Sequence, residues 1–426
     1  MNRSSALRLI LPLFACSVCG LAEPPPVPAE RKPDVARLLA EREPVRIACF
    51  GDSITGVYYH TGGRRSWCEV LGIALERLYP GARIKMINAG ISGNTTADAL
   101  KRMETDVLSH EPQLVVAMFG MNDVGKGVGP VAFRANLGEI VTRARARGAE
   151  VILMTPNAIS PGDPMRPPAR VAEYAEIVRQ AGRELGVQVV DCFRVYEAIR
   201  AADPWAWTRM MSDSIHPNMR GHKIFAAEAA FAVSGRRPAL EDLPPLEPGL
   251  PRVLSRLRDG QPVDVVAMKP YDSLIGPALA SLFPGARVRV TSWDPGRKSL
   301  AAIEDEAKGR GWPRFRDRPD LSRPDLVVLA VPAGAGAPNE EQFYHSYTWI
   351  INWSLSVGAP AWDCLAILPS VAEPEPGPGQ RRAETLALDV ILGHDMPWLQ
   401  RAPGDDRSAS ELLARRLESL LDLSKP

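Results

Sequence analysis

The chain of 426 residues has little net charge, few aromatic side chains and few cysteines. Its 51 basic and 50 acidic residues leave a formal net charge of +1, which argues against a phosphate-tracking surface and against nucleic acid as a partner. Of the six cysteines, four stand alone among apolar neighbours: Cys49, Cys68, Cys192 and Cys364. We therefore expect buried thiols and no disulfide framework.

The N-terminus lacks an apolar run of the ~20 residues that a membrane-spanning helix needs. Arg3 and Arg8 instead precede a short apolar run from Leu9 to Ala15, which predicts a signal peptide over residues 1–22 and an exported protein. Alternatively, the sequence up to Cys16 resembles a bacterial lipoprotein box. A lipid anchor at Cys16 would then be the chain's only membrane contact, and the protein would be periplasmic, extracellular or anchored to the envelope.

Length and composition indicate two soluble domains behind this leader. A proline-rich tether is predicted over 23–43, a first domain over 44–235 and a linker rich in proline and glutamate over 236–251. The second domain takes residues 252–426. We expect it to pack on the first.

Short apolar runs alternate with amphipathic stretches through the first domain, which predicts an α/β fold with a parallel sheet covered on both faces. The predicted strands are 45–50, 84–89, 114–119, 151–155 and 187–192. The predicted helices are 67–78, 97–108, 131–147, 170–185 and 219–233. Ligands of such sheets bind beyond the carboxyl ends of the strands, so the functional residues should lie directly after each strand in the sequence.

The second domain repeats features of the first in the same order. The run 263–268 followed by Tyr271-Asp272-Ser273 parallels 45–50 followed by Gly51-Asp52-Ser53, and a Pro-Gly-Ala-Arg element occurs in both halves. These matches indicate an internal duplication. Ser273 is retained there but no Asp-x-x-His follows it, so we expect the second half to be a degenerate, non-catalytic copy with a structural or polymer-binding role.

A serine and a carboxylate–imidazole pair supply the chemistry of the first domain. Ser53 follows the first predicted strand at a strand-to-helix turn, where its hydroxyl is exposed. It needs a base, because a free serine hydroxyl is a poor nucleophile. Asp213 and His216 are three residues apart, so both side chains can face one way and the carboxylate can hold the imidazole toward Ser53.

Two further strand ends offer donors for an oxyanion. Gly93 follows the second strand and can present its backbone N–H, and Asn122 follows the third and can offer its side-chain amide. Glycine and asparagine are also ordinary turn residues, so each alone is ambiguous.

Taken together, Gly51-Asp52-Ser53, Gly93, Asn122 and Asp213-x-x-His216 resemble the motif blocks of the SGNH/GDSL hydrolase family over about residues 45–233. The resemblance implies a flavodoxin-like, doubly wound parallel sheet of order 2-1-3-4-5. It implies Ser53 as nucleophile, His216 as general base and then acid, and Asp213 as its orienting group. The oxyanion hole would be formed by the N–H groups of Ser53 and Gly93 and the amide of Asn122. It implies no metal and no organic cofactor.

Several residues near these motifs are candidates for substrate binding. They are Asp52, Tyr58, Tyr59, His60, Trp205 and Trp207. The alternative is a solvated loop with a packed tyrosine for the segment after Ser53, and core packing for the two tryptophans before Asp213.

The resulting hypothesis is a serine esterase that hydrolyses carboxylic esters through an acyl-enzyme, with short-acyl (acetyl) esters of carbohydrates as the expected substrates. The partner would be a small-molecule or polysaccharide ester. A lysophospholipase or thioesterase would use the same site. The alternative of a different class is a non-catalytic, carbohydrate-binding protein of the cell surface.

Overall fold

The computed structural model describes residues 34–358 and 361–421. The predicted signal peptide, Cys16 and the tether up to residue 33 lie outside the described residues. Within the described part of the chain, no helix is long and apolar enough to cross a membrane.

The first half is built on a five-stranded, fully parallel sheet of order β2-β1-β3-β4-β5. Its strands are β1 (Pro44–Gly51), β2 (Arg83–Gly90), β3 (Leu114–Met118), β4 (Glu150–Met154) and β5 (Gln188–Val190). Strand β3 is buried throughout, as expected for a sheet covered on both faces. The predicted fold class and strand order are confirmed.

Five helices of this half agree with the amphipathic pattern at their centres, and four further helical segments were not predicted. The helices of this half are α1 (Val35–Ala40), α2 (Trp67–Leu78), α3 (Thr96–Asp106), α4 (Met121–Gly125), α5 (Pro130–Ala146), α6 (Pro168–Leu185), α7 (Cys192–Ala202), α8 (Pro204–Thr208) and α9 (Met219–Ser234). Strand β5 is shorter than predicted, because the side chain of Asp191 caps α7 by accepting from the N–H of Arg194.

Part of the predicted tether belongs to the first core. Asp34 caps helix α1, and Val35 and Leu39 of that helix are only 1% exposed. The residues of the predicted tether from Asp34 to Ala40 therefore pack with the first domain. Two apolar residues four apart share one face of a helix, and this face packs on the sheet.

The second half contains another fully parallel sheet, of order β10-β9-β8-β6-β7. Its strands are β6 (Val263–Met268), β7 (Val288–Trp293), β8 (Leu326–Leu329), β9 (Asp363–Ile367) and β10 (Trp398–Leu399). Its helices are α10 (Pro251–Arg258), α11 (Tyr271–Leu282), α12 (Leu300–Arg310), α13 (Trp312–Asp317), α14 (Glu340–Ser354), α15 (Pro378–Gly393) and α16 (Ala409–Leu420). Numbered within this half, the order is again 2-1-3-4-5, which supports the predicted duplication.

Each half has its own apolar core, one spanning Val35 to Leu240 and the other Leu250 to Leu421. The two cores belong to one compact unit. The four isolated cysteines are buried and free, as predicted.

The packing of α1 predicts that Leu39→Ala lowers the free energy of unfolding by about 3 kcal/mol, because it leaves a cavity in a closed core. Leu38→Ala is the matched control, since Leu38 is half-buried on the same helix and should lose less than half as much. Guanidinium unfolding followed by circular dichroism measures both. Equal losses would contradict the packing of α1 described here.

Candidate active site

The turn after β1 places Ser53 at the carboxyl edge of the first sheet. Gly51 ends the strand, and a Cβ there would lie 2.8 Å from the carbonyl oxygen of Met118, so the neighbouring strand leaves room only for glycine. The carboxylate of Asp52 accepts from the N–H of Ile54 at 2.9 Å and closes the turn. Ser53 keeps 9% of its surface exposed.

Ser53, His216 and Asp213 form a continuous chain of hydrogen bonds. The distance from Ser53 Oγ to His216 Nε2 is 2.9 Å, and that from His216 Nδ1 to Asp213 Oδ2 is 2.7 Å. The other carboxylate oxygen of Asp213 accepts from the N–H groups of Ile215 and His216, at 2.8 and 2.7 Å. The structure thus brings together the three residues predicted to act as a triad, in a relay able to move a proton from the serine hydroxyl.

The Asp-x-x-His segment is a tight loop and not a turn of helix. An isolated antiparallel bridge joins Met211 to Pro217, and the N–H of Ser212 donates to the carbonyl of His216 at 2.8 Å. The three-residue spacing therefore works through a closed loop between α8 and α9, whose backbone donates to the carboxylate of Asp213.

The pKa values of Asp213 and His216 move apart because each group stabilises the charge of the other. Burial alone raises the pKa of Asp213, but the charge and hydrogen bonds of His216 and the N–H of Ile215 outweigh it and lower that pKa below its usual value. Burial alone lowers the pKa of His216, and the carboxylate of Asp213 outweighs it, so the pKa of His216 is raised. The carboxylate thus stays ionised, and the imidazole keeps its proton to a higher pH than an ordinary histidine does.

Two backbone N–H groups in the turns after β1 and β2 have no protein partner in the described part of the chain. Among residues 34–358 and 361–421, the N–H groups of Ser53 and Gly93 donate to no protein acceptor. Gly93 has a φ of +76°, and Lys126 Nζ donates to its carbonyl at 2.6 Å. The positive φ favours glycine, and the lysine holds the peptide in place.

Asn122 lies in the first turn of α4, and its amide is fully engaged. Its Nδ2 donates to Asp52 Oδ2 and to the carbonyl of Asn94, both at 3.2 Å. Arg166 donates to Asn122 Oδ1 at 3.2 Å, which fixes the orientation of the amide. Arg166 carried no sequence signal, because it comes from the loop between β4 and α6.

Three of the predicted substrate-binding residues are committed to the protein interior. Asp52 is 2% exposed, and burial raises its pKa to about 6. His60 is fully buried, with its Nε2 3.0 Å from the carbonyl of Ser53. Trp207 is 7% exposed beneath the guanidinium of Arg200. Because these side chains have almost no accessible surface, they support the site from the interior and do not form its substrate-binding wall. This corrects the expectation that they bind the substrate.

The other three are half-buried. Tyr58 Oη accepts from the N–H of Ser92 at 2.8 Å, beside Gly93. Tyr59 Oη donates to Asp213 Oδ2 at 2.9 Å. Trp205 packs edge-on against Tyr344 of the second half, with ring centroids 5.5 Å apart.

Two further histidines lie behind His216. The ring of His60 stacks on that of His216 at 4.8 Å, and His222 lies 5.3 Å from His60. His222 is buried and accepts from the N–H of Trp67, and burial lowers its pKa to about 3. The sequence carried one signal for this burial. His222 is three residues before Phe225, so the two share the buried face of α9.

In the described part of the second half, no comparable relay surrounds Ser273. Its hydroxyl donates to the carbonyl of Pro270 at 2.9 Å. His394, the buried histidine of this half, faces Ser212 of the first half. In the described ranges, no group of three or more histidine, cysteine or acidic side chains could hold a metal ion.

Comparison with known proteins places this geometry in a family. Residues 49–224 match the model of the GDSL-like Lipase/Acylhydrolase family. The chain is 33% identical to an acetylxylan esterase of Geobacillus stearothermophilus over 170 residues, which cover 37% of this chain and 75% of that protein. It is 28% identical to an arylesterase of Vibrio mimicus over 176 residues, which cover 40% and 80% of the two chains. A crystal structure of an acetylxylan esterase from Geobacillus stearothermophilus aligns with 28% identity and a TM-score of 0.39, covering 44% of this chain and 94% of that one.

The fold and these matches define a carboxylic ester hydrolase of the α/β class. The chain belongs to the GDSL-like lipase/acylhydrolase family.

The raised pKa of His216 predicts a titration midpoint above its ordinary value of 6.5. Asp213 is the main cause, Asp52 adds to it and Arg166 opposes it. Asp213→Asn should therefore lower the midpoint below that of the unaltered protein. Histidine-selective NMR measures this, with the resonance assigned by its loss in His216→Asn. His222 serves as the internal control, because it should remain neutral to about pH 3. A midpoint unmoved by Asp213→Asn would contradict the coupling.

Proposed function

We propose that this chain is a serine esterase that works through an acyl-enzyme, with Ser53 as nucleophile, His216 as base and acid, and Asp213 as the group that orients His216. The observation that carries the proposal is the unbroken hydrogen-bond chain from Ser53 Oγ through the imidazole to the carboxylate. A serine hydroxyl 2.9 Å from an imidazole nitrogen can transfer its proton as it attacks.

In the acylation step, Ser53 Oγ attacks the ester carbonyl carbon while His216 Nε2 takes the hydroxyl proton. The tetrahedral intermediate collapses as the same nitrogen gives that proton to the leaving alcohol. Water then repeats the sequence on the acyl-serine, and the acid is released. Asp213 stays ionised throughout and stabilises the transient imidazolium, consistent with its lowered pKa.

The developing oxyanion would be held by the N–H groups of Ser53 and Gly93, which have no protein acceptor in the described part of the chain. Asn122 is the third donor. Its two hydrogen bonds of 3.2 Å, to Asp52 and Asn94, are long for N–H···O contacts. An oxyanion carries a full charge and would compete for one of them, so Asn122 contributes most when that charge has formed.

Acetyl esters of carbohydrates are the substrate class that we propose. The acetylxylan esterase that shares 33% identity with this chain over 170 residues supports it. The half-buried ring of Tyr58, whose hydroxyl accepts from the N–H of Ser92 next to Gly93, also supports it, because aromatic faces pack well against sugars. If the protein were instead a lysophospholipase or thioesterase, it should prefer substrates with a long acyl chain. The dependence of activity on acyl-chain length therefore separates the two substrate classes.

We also propose that the protein is exported. Support comes from the sequence of residues 1–22, where basic residues precede a short apolar run that ends in small residues. A lipid-anchored form would begin at Cys16 and a secreted form at Glu23, so the mass of the mature N-terminal peptide separates the two.

Ser53→Ala should reduce the hydrolysis of p-nitrophenyl acetate by at least about 10⁴-fold, because it removes the hydroxyl that is aligned with His216. Ser273→Ala is the matched control and should retain full activity. The assay compares p-nitrophenyl esters from acetate to palmitate and then acetylated xylooligosaccharide. Activity that survives Ser53→Ala would refute the serine mechanism. A maximum at palmitate would refute the carbohydrate acetyl ester.

Asn122→Ala should lower kcat about 100-fold, or about 3 kcal/mol of transition-state stabilisation, with a much smaller change in KM. Asn136→Ala is the control, since its amide contacts Thr96 on the neighbouring α3 and not the nucleophile. Steady-state kinetics on p-nitrophenyl acetate measures both. Equal values of kcat for Asn122→Ala and the unaltered enzyme would remove Asn122 from the oxyanion hole.

A further inference from the structure

The loop that carries Asp213 and His216 is bonded to the second half of the chain. Ser212 and Asn352 of α14 pair reciprocally: Ser212 Oγ donates to Asn352 Oδ1 at 3.0 Å, and Asn352 Nδ2 donates to the carbonyl of Ser212 at 2.9 Å. His394 closes this cluster, with its Nε2 3.1 Å from Asn352 Oδ1. All three side chains are at least 98% buried. The residue immediately before Asp213 is therefore held by a buried polar cluster.

The two ends of the same loop are held by α15. The guanidinium of Arg209 makes a two-point contact with Asp389, at 2.7 and 2.6 Å, and Arg220 adds a third contact at 2.7 Å. Tyr344 of α14 donates to the carbonyl of Arg209 at 3.0 Å. Planar two-point pairs fix direction as well as distance, so α15 sets where the loop begins and where α9 continues from it.

Tyr59 makes a second connection between Asp213 and the second half. Its hydroxyl donates to the carboxylate, and its ring stacks on Trp312 of the second half at 6.0 Å and 20°. Trp312 Nε1 in turn donates to the carbonyl of Asn352 at 3.1 Å, which joins this connection to the Ser212 cluster. The segment after Tyr59 is tied down by the buried two-point pair of Arg65 with Asp395.

We propose that the second half is a positioning element for the catalytic site, and that Tyr59 and Asp389 are positioning residues that transmit its effect to Asp213. The inference rests on the proposed triad. It assigns the non-catalytic half a function in the reaction: it holds the carboxylate of Asp213, and through it the imidazole of His216, in line with Ser53.

Such positioning is needed because proton transfer between Ser53 and His216 tolerates only small displacements of the two groups. A catalytic constellation works when its groups stay within about 0.5 Å of the productive geometry, and loops alone seldom provide this. The loop from Arg209 to Asn218 comes from outside the sheet and shares no strand ladder with it. The segment after β4 bonds the middle of the loop, from Asn157 Nδ2 to the carbonyl of Ile215 and from the N–H of Ser160 to the carbonyl of Ser214. The contacts to α14, α15 and Trp312 hold its two ends and the carboxylate of Asp213.

Tyr59→Phe tests the inference at the triad itself. It keeps the stacked ring on Trp312 and removes only the hydroxyl that donates to Asp213. We expect kcat for p-nitrophenyl acetate to fall about tenfold, the effect of losing one hydrogen bond to a charged group. The pKa seen in the kcat/KM profile should move upward, because the carboxylate loses a donor and acts more strongly on His216. Asp52, Arg166 and the neutral His60 also face His216, and the variant leaves them unchanged.

Asp389→Asn tests the same inference from the second half, at a distance from the reacting atoms. We expect a lower kcat and a KM within about twofold of the unaltered value, because the loop moves but the substrate wall does not. Asp264→Asn is the matched control, since Asp264 forms an equivalent two-point pair with Arg289 that lies wholly within the second half. It should retain full activity.

A fluorophosphonate probe separates this inference from the proposed function. Ser53 Oγ displaces fluoride from the probe at a rate that depends on His216 and not on the natural substrate. Labelling of the full-length protein that is lost in Ser53→Ala, and slowed in Tyr59→Phe and Asp389→Asn but not in Asp264→Asn, supports the inference. Labelling at the unaltered rate in both variants overturns it and leaves the esterase intact. Absence of Ser53-dependent labelling in the unaltered protein overturns the proposed function and the inference with it. If Asp389→Asn unfolds, as judged by circular dichroism, Tyr59→Phe alone decides.

Discussion

Four hydrogen bonds converge on the carboxylate of Asp213. One oxygen accepts from the backbone of Ile215 and His216, and the other accepts from the imidazole of His216 and the hydroxyl of Tyr59. A buried charge is costly unless its hydrogen-bonding capacity is met, and here it is met. The carboxylate therefore stays ionised, its negative charge raises the pKa of His216, and its position aligns the imidazole with Ser53. Two sets of contacts join the second half to this carboxylate. One is the cluster of Ser212, Asn352 and His394, and the other is the stack of Tyr59 on Trp312.

The topology of the first sheet explains why residues far apart in sequence meet at Ser53. Strand β1 lies between β2 and β3, so the turns that follow these three strands are neighbours at one edge. Ser53, Gly93 and Asn122 each follow one of these strands. Parallel strands need long crossovers, which separate the turns in sequence and leave them adjacent in space. His216 comes from elsewhere, from a loop between helices, and the second half makes its contacts with this loop.

Prediction from sequence succeeded where a local pattern carries the information. The bounds of α2, from Trp67 to Leu78, follow from its apolar spacing and the capping box of Ser66 and Glu69. It was wrong where burial depends on distant partners. His60 and Asp52 are polar residues beside the nucleophile, and sequence could not distinguish an exposed wall from a buried support. Helix α1 was taken for tether because six residues are too few to show a clear period.

The sequence by itself determined the α/β class, the order of the strands along the chain, and the residue types able to form a nucleophile, a base and a carboxylate. These follow from local periodicity and from the chemistry of each side chain, which need no knowledge of distant contacts. Only the tertiary structure decided that Tyr59 donates to Asp213, that Asn122 is shared between Asp52 and Asn94, and that α14 and α15 hold the loop of Asp213. Each of these is a contact between segments separated by tens to hundreds of residues. Such contacts depend on how two sheets and their helices pack, and no local pattern encodes that.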